Sequence, residues 1–164
     1  MKITIMNHYI NRDKKGFSAF VNKCIGFFTQ SDCWHNSIIL DGMRYESGMP
    51  YGATKTTRIP NHPLVDTVDI EVTAEQLKLM IAYAELQLKH NLPYNKGKLL
   101  TLAICWPTRF IWNKVEWVPF QNNYFGMVCS VFVYEILLAG GIELFPSYYK
   151  ELIPPKLFAE YGSN

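Results

Sequence analysis

Three side chains in this sequence could together carry covalent chemistry: the thiol of Cys129, the imidazole of His35 and the carboxylate of Glu46. A thiol is a poor nucleophile at neutral pH until it ionises. The start of a helix favours negative charge, and a neighbouring imidazole can take the proton. The imidazole in turn needs a partner on its other nitrogen, which fixes its tautomer and stabilises its charged form. Nucleophile, base and orienting acid in that relation support an acyl-enzyme route. Each residue alone has a simpler reading. A cysteine on an apolar helix face is usually a small core residue, a strand histidine is usually a hydrogen-bonded one, and a lone glutamate is a solvated charge. Only the elements that carry these residues can join them.

Two segments have that capacity. Ser31–Ser47 reads SDCWHNSIILDGMRYES, a β-prone run from Trp34 to Leu40, then Asp41-Gly42, then a returning strand over Met43–Ser47. Asp-Gly between apolar runs is a hairpin-turn signal. Leu40 then faces Met43, and counting back from the turn places His35 opposite Gly48, with Glu46 its diagonal neighbour. Diagonal partners on one face are ~7 Å apart at the backbone, within reach of a histidine–carboxylate hydrogen bond. The second segment, Asn123–Gly141, reads NYFGMVCSVFVYEILLAGG. Cys129, Phe132, Val133, Ile136, Leu137 and Gly140 recur at helical spacing and define a buried face, with Gly140-Gly141 as the stop. Cys129 falls in its first turn.

The remaining elements frame these two. Lys2–Met6 suits a short strand and Asn7–Gly16 a polar loop. Phe17, Phe20, Val21, Cys24 and Phe27 or Phe28 are spaced for an amphipathic helix over 17–28. Gly48–Pro63 reads as a loop with an extended piece at Thr54–Ile59, and Leu64–Val72 alternates as a strand. Thr73-Ala-Glu-Gln76 is a capping-box pattern that opens a helix running to about His90, before Pro93. Lys98–Trp106 suits a further helix, and the aromatic stretch through Trp112, Trp117 and Phe120 reads as core and rim. The tail around Pro146, Pro154 and Pro155 reads as turns and short helical pieces. Among the other candidates, Cys33 shares a strand face with His35 by two-residue alternation and is assigned to packing. Cys24 and Cys105 are assigned to helix cores. His8, His62 and His90 fall in loop or helix-end contexts with no carboxylate at a useful spacing.

Composition narrows the class. With 164 residues, 49% apolar and 18% charged, the chain has the balance of a folded globular protein, read as one domain over residues 1–164. A net charge of +2 with scattered basic residues gives no sign of a nucleic-acid partner. Neither a signal-peptide core nor a transmembrane-length apolar run is present, so a soluble, cytoplasmic protein with reduced cysteines is expected. Four cysteines without a Cys-x-x-Cys clip argue against a structural zinc site. No metal and no cofactor is expected.

The blocks CWHNSIILDG-x-x-YES and MVCSVFVYEILLAGGI, taken with LPYN at Leu92–Asn95 and Pro155-Lys-Leu157, resemble the circularly permuted NlpC-type branch of the papain-like cysteine hydrolases, the YiiX-like and lecithin-retinol-acyltransferase-like group. In that branch the histidine strand precedes the cysteine helix. The resemblance covers roughly residues 33–158. It implies an α+β, permuted papain-like fold, with an antiparallel sheet packed against helices and the nucleophile helix C-terminal to the histidine hairpin. Residue by residue, it implies Cys129 as nucleophile, His35 as base and Glu46 as the third polar residue. Asn36 and Asn95 depart from the pattern, which wants a small apolar residue and an aspartate there. The implied substrate is a peptide or peptidoglycan stem, cleaved at an amide. The alternatives are a lipid acyltransferase or thioesterase using the same residues with an acyl substrate, and a catalytically silent binding protein with a protein partner.

Overall fold

The computed structural model describes residues 1–13, 15–16, 22–24, 26–27, 31–48, 51–60, 63–91, 94, 128–147 and 153–162. Five strands, β1 (Lys2–Tyr9), β2 (Cys33–Leu40), β3 (Met43–Gly48), β4 (Gly52–Thr56) and β5 (Val65–Glu71), pair in the order β4-β3-β2-β1-β5. Every neighbouring pair is antiparallel. The described helices longer than one or two turns are α1 (Ala74–Lys89), α2 (Cys129–Ala139) and α3 (Pro155–Gly162). The architecture is α+β.

The β2–β3 hairpin follows its sequence signal. Asp41 and Gly42 both take positive φ, 48° and 75°, the conformation a two-residue turn between right-twisted strands demands. Leu40 faces Met43 and Ser37 faces Glu46, which is the expected register. β1 departs from expectation: it runs on through Asn7, His8 and Tyr9, where a loop was expected. It pairs with both β2 and β5 over its length, and two ladders satisfy a backbone that local polarity would leave to water. β4 covers Gly52–Thr56, displaced towards the N-terminus from the expected extended piece, because its register is set by pairing with β3.

One face of the sheet is apolar. Ile5 pairs with Ile38, and Ile3, Ile5, Ile38, Leu40 and Tyr45 join Phe132, Val133, Ile136, Leu137, Met80 and Phe158 in one buried cluster. α2 packs against β2, β3 and α1 and is buried almost all round, Ser130, Val131 and Tyr134 included, rather than on one face as the spacing predicts. It meets α1 closely at Gly140, where a Cβ would lie 2.8 Å from Met80 Cγ and 3.3 Å from the Gln76 carbonyl. α3 closes the core over β1, β2 and β5.

α1 opens on the expected capping box: Thr73 Oγ1 accepts from the Gln76 N–H at 3.1 Å, and Gln76 Oε1 accepts from the Thr73 N–H at 3.0 Å. Thr73→Ala should therefore cost about 1 kcal/mol, read as a lower urea midpoint at unchanged slope. No loss would mean that tertiary packing alone holds the helix start. Within 17–28, residues 22–24 and 26–27 are helical, and Phe27 is exposed. The expected helix over 98–106, Cys105, His62 and the aromatics at 112, 117 and 120 lie outside the described residues. No described helix is long and apolar enough to cross a membrane.

Candidate active site

The start of α2 meets β2 near its N-terminal end, and there Cys129, His35 and Glu46 come together. His35 Nε2 lies 2.9 Å from Glu46 Oε2, the contact that the hairpin register predicts. With Nε2 engaged, Nδ1 is the nitrogen left for the thiol, and Cys129 and His35 each favour the charged form of the other. Val128 occupies the N-cap of α2 and provides no side-chain cap. First-turn N–H groups are thus left for the sulfur, and the backbone N–H groups of Ser130 and, across the interface, of Asn36 favour its ionised form. Ser130 anchors the same turn by donating its hydroxyl to the Ile153 carbonyl at 2.5 Å.

The charges follow from this geometry. Burial alone would depress His35, but the Cys129 thiolate and then Glu46 outweigh it and hold the imidazole at about 9. Burial likewise opposes ionisation of Cys129, yet the His35 imidazolium and the two backbone N–H groups bring the thiol below its ordinary value. Burial pushes Glu46 up, and His35 and Arg44 bring it down below the usual carboxylate range. The three groups thus favour thiolate, imidazolium and carboxylate together, the arrangement an activated cysteine requires.

Four further residues complete the site. Arg44 Nη2 donates to Glu46 Oε1 at 2.6 Å, so the two carboxylate oxygens are divided between arginine and histidine. His8, expected in a loop, sits in β1 directly opposite His35. Its ring centroid is 5.1 Å from that of His35, and its Nε2 lies 3.0 Å from Ser37 Oγ. Burial first, and repulsion by His35 second, drive His8 down to about 3, so it stays neutral. The Trp34 ring also lies beside His35, centroids 5.2 Å apart. Tyr94 is pushed well above its ordinary value by burial and by the thiolate's field, which leaves its phenol a permanent O–H donor. Together with His35, Glu46 and Tyr51 these residues line a cavity of about 350 Å³.

Sequence reasoning missed Arg44 and His8. Arg44 was findable, because in Arg44-Tyr45-Glu46 the first and third side chains share a strand face. His8 was not, because only pairing with β2 places it.

Cys33 also corrects an expectation. A register shift between His8 and Tyr9 pairs Tyr9 with Cys33, and a bulge of this kind re-aims the side chain beyond it. The Cys33 thiol therefore lies against the Asn36 carboxamide at 3.8 Å, on the side of Asn7, instead of sharing the face of His35. It is fully buried, and burial together with the nearby Cys129 thiolate pushes it up to about 12. Its packing role stands; only its direction changes. His90 is the C-cap of α1, and Cys24 is half-buried. Among the described residues no cluster of three or more His, Cys, Asp or Glu side chains is arranged to hold a metal ion. Comparison with family models, curated proteins and solved structures finds no match to this chain.

Proposed function

We propose that this chain is a cysteine hydrolase of the permuted papain-like kind, which cleaves an amide bond in a peptide or peptidoglycan stem through an acyl-enzyme on Cys129. The observation that carries the reading is the His35–Glu46 hydrogen bond of 2.9 Å beside Cys129 at the start of a buried helix, with His35 and Cys129 each favouring the other's charged form. The thiolate attacks the amide carbonyl and forms a C–S bond. As the C–N bond breaks, the His35 imidazolium gives its proton to the departing nitrogen. Water then attacks the thioester, its proton passing to the now neutral His35, and the carboxylic acid leaves as the thiolate is restored. Glu46 holds the imidazole in one tautomer through both steps. The Cys129 N–H at the helix start and the Tyr94 O–H are the donors suited to the oxyanion.

Iodoacetamide alkylation across a pH series, mapped by peptide mass spectrometry, tests this reading. The small reagent suits a cysteine that is only 4% exposed. Native Cys129 should react ahead of Cys24 and Cys33 at about pH 6, because its thiol lies below its ordinary value. His35→Ala removes the cation that outweighs burial, so the thiol should climb and labelling at that pH should fall by at least about tenfold. Labelling of Cys129 no faster than that of the other cysteines, and unchanged by His35→Ala, would defeat the reading.

A further inference from the structure

The side chain most tightly bound to the Cys129–His35–Glu46 path from outside it is Arg44. It stands two residues before Glu46 on β3, so alternation places both on one face. Its guanidinium Nη2 takes Glu46 Oε1 at 2.6 Å while His35 Nε2 takes Oε2 at 2.9 Å. The arginine side chain is 12% exposed and that of Glu46 21%, so this is an enclosed pair rather than a surface one. Among the described residues, Arg44 Nε is buried without a hydrogen-bond partner. A buried donor left unpaired is destabilising, so the orientation of the guanidinium is set by the carboxylate and not by its own satisfaction.

We propose that Arg44 is a positioning residue: by holding one oxygen of Glu46 it fixes the carboxylate plane so that the other oxygen meets His35 Nε2 and keeps the imidazole turned to Cys129. This rests on the cysteine-hydrolase reading above and deepens it. A carboxylate has two equivalent oxygens and a free torsion about its last bond. Unheld, it exchanges between histidine, solvent in the cavity and other donors. Held at Oε1, it offers Oε2 in one place. The charged and titratable groups facing it are Arg44 on its own strand, His35 on β2, His8 on β1, and, across the cavity, Tyr51 and Tyr94. Cys129 on α2 acts on it through His35. His8 stays neutral and Tyr94 stays protonated, so Arg44 is the fixed cation of the group.

The role predicts a sign opposite to that of a bystander charge. Removing a nearby cation that merely adds its field raises the pKa of a histidine. Removing a cation that orients the histidine's carboxylate lowers it. Arg44→Met is therefore expected to drop the His35 titration, followed by NMR of its ring protons, by about one pH unit from about 9. The Cys129 acid limb, followed by alkylation, should rise in step, because the two titrate as a pair. Arg44→Lys, which keeps the charge but not the rigid, planar guanidinium, should recover part of both shifts, and it covers the case in which the methionine variant folds poorly. An upward His35 shift in Arg44→Met, or no movement in either limb in both variants, overturns the positioning role. A wild-type Cys129 without an acid-shifted limb overturns the cysteine reading itself, and the role of Arg44 with it; the wild-type curve distinguishes the two failures.

Discussion

Cys129→Ser should lower acyl-enzyme formation by roughly a thousandfold or more, while the protein stays folded. A serine hydroxyl occupies nearly the space of the thiol but does not ionise in this setting. The forces that hold the thiolate, namely the His35 imidazolium and the N–H groups of Asn36 and Ser130, are too weak to draw a proton from an alcohol. A p-nitrophenyl ester provides the measurement without a known substrate. The wild type should release a burst of nitrophenolate matched by one acyl group on Cys129, and the serine variant should show none. A burst of undiminished size in Cys129→Ser would place the nucleophile elsewhere. On an anilide substrate, whose departing amine must take a proton, turnover should decline as pH rises through about 9, where His35 gives that proton up. The direction follows from the raised pKa: the imidazolium is present below that value and lost above it.

The largest effect on stability is expected one turn further along α2. Phe132 is fully buried and lies in the cluster that also holds Ile38, Leu40 and Tyr45. Phe132→Ala removes most of a ring from a close-packed interior and leaves a cavity, at a cost of about 3–5 kcal/mol. A domain of this size has only about 5–15 kcal/mol in total, so the variant should unfold at markedly lower urea. Near its midpoint Cys129 should also lose its selective alkylation, since the helix start that sustains the thiolate rests on this cluster. A loss below about 1 kcal/mol would mean that the neighbouring side chains collapse into the space, and that α2 is held by its ends rather than its face.

Much of the site was legible in the linear sequence, for reasons that are local. Asp41-Gly42 fixes a two-residue turn, the turn fixes the register, and the register brings Glu46 to His35. The spacing of Phe132, Val133, Ile136 and Leu137 fixes a buried helix, and its periodicity puts Cys129 at the start. Short-range patterns of this kind need no knowledge of the rest of the chain. What only the tertiary structure decided came from pairing between segments far apart in sequence. Residues 7–9 carry polar side chains that read as loop, yet β1 extends through them because β2 and β5 both pair there, and so His8 reaches His35. The same ladder contains the bulge that turns Cys33 onto Asn36. Ionisation belongs to the tertiary level too. His35 and His8 have the same chemistry and stand opposite each other, yet one is held at about 9 and the other at about 3. His35 is buried and His8 half-buried, and the field of Glu46 reaches both; His35 alone of the two hydrogen-bonds that carboxylate and is raised by the thiolate, and no local pattern in the sequence encodes that difference.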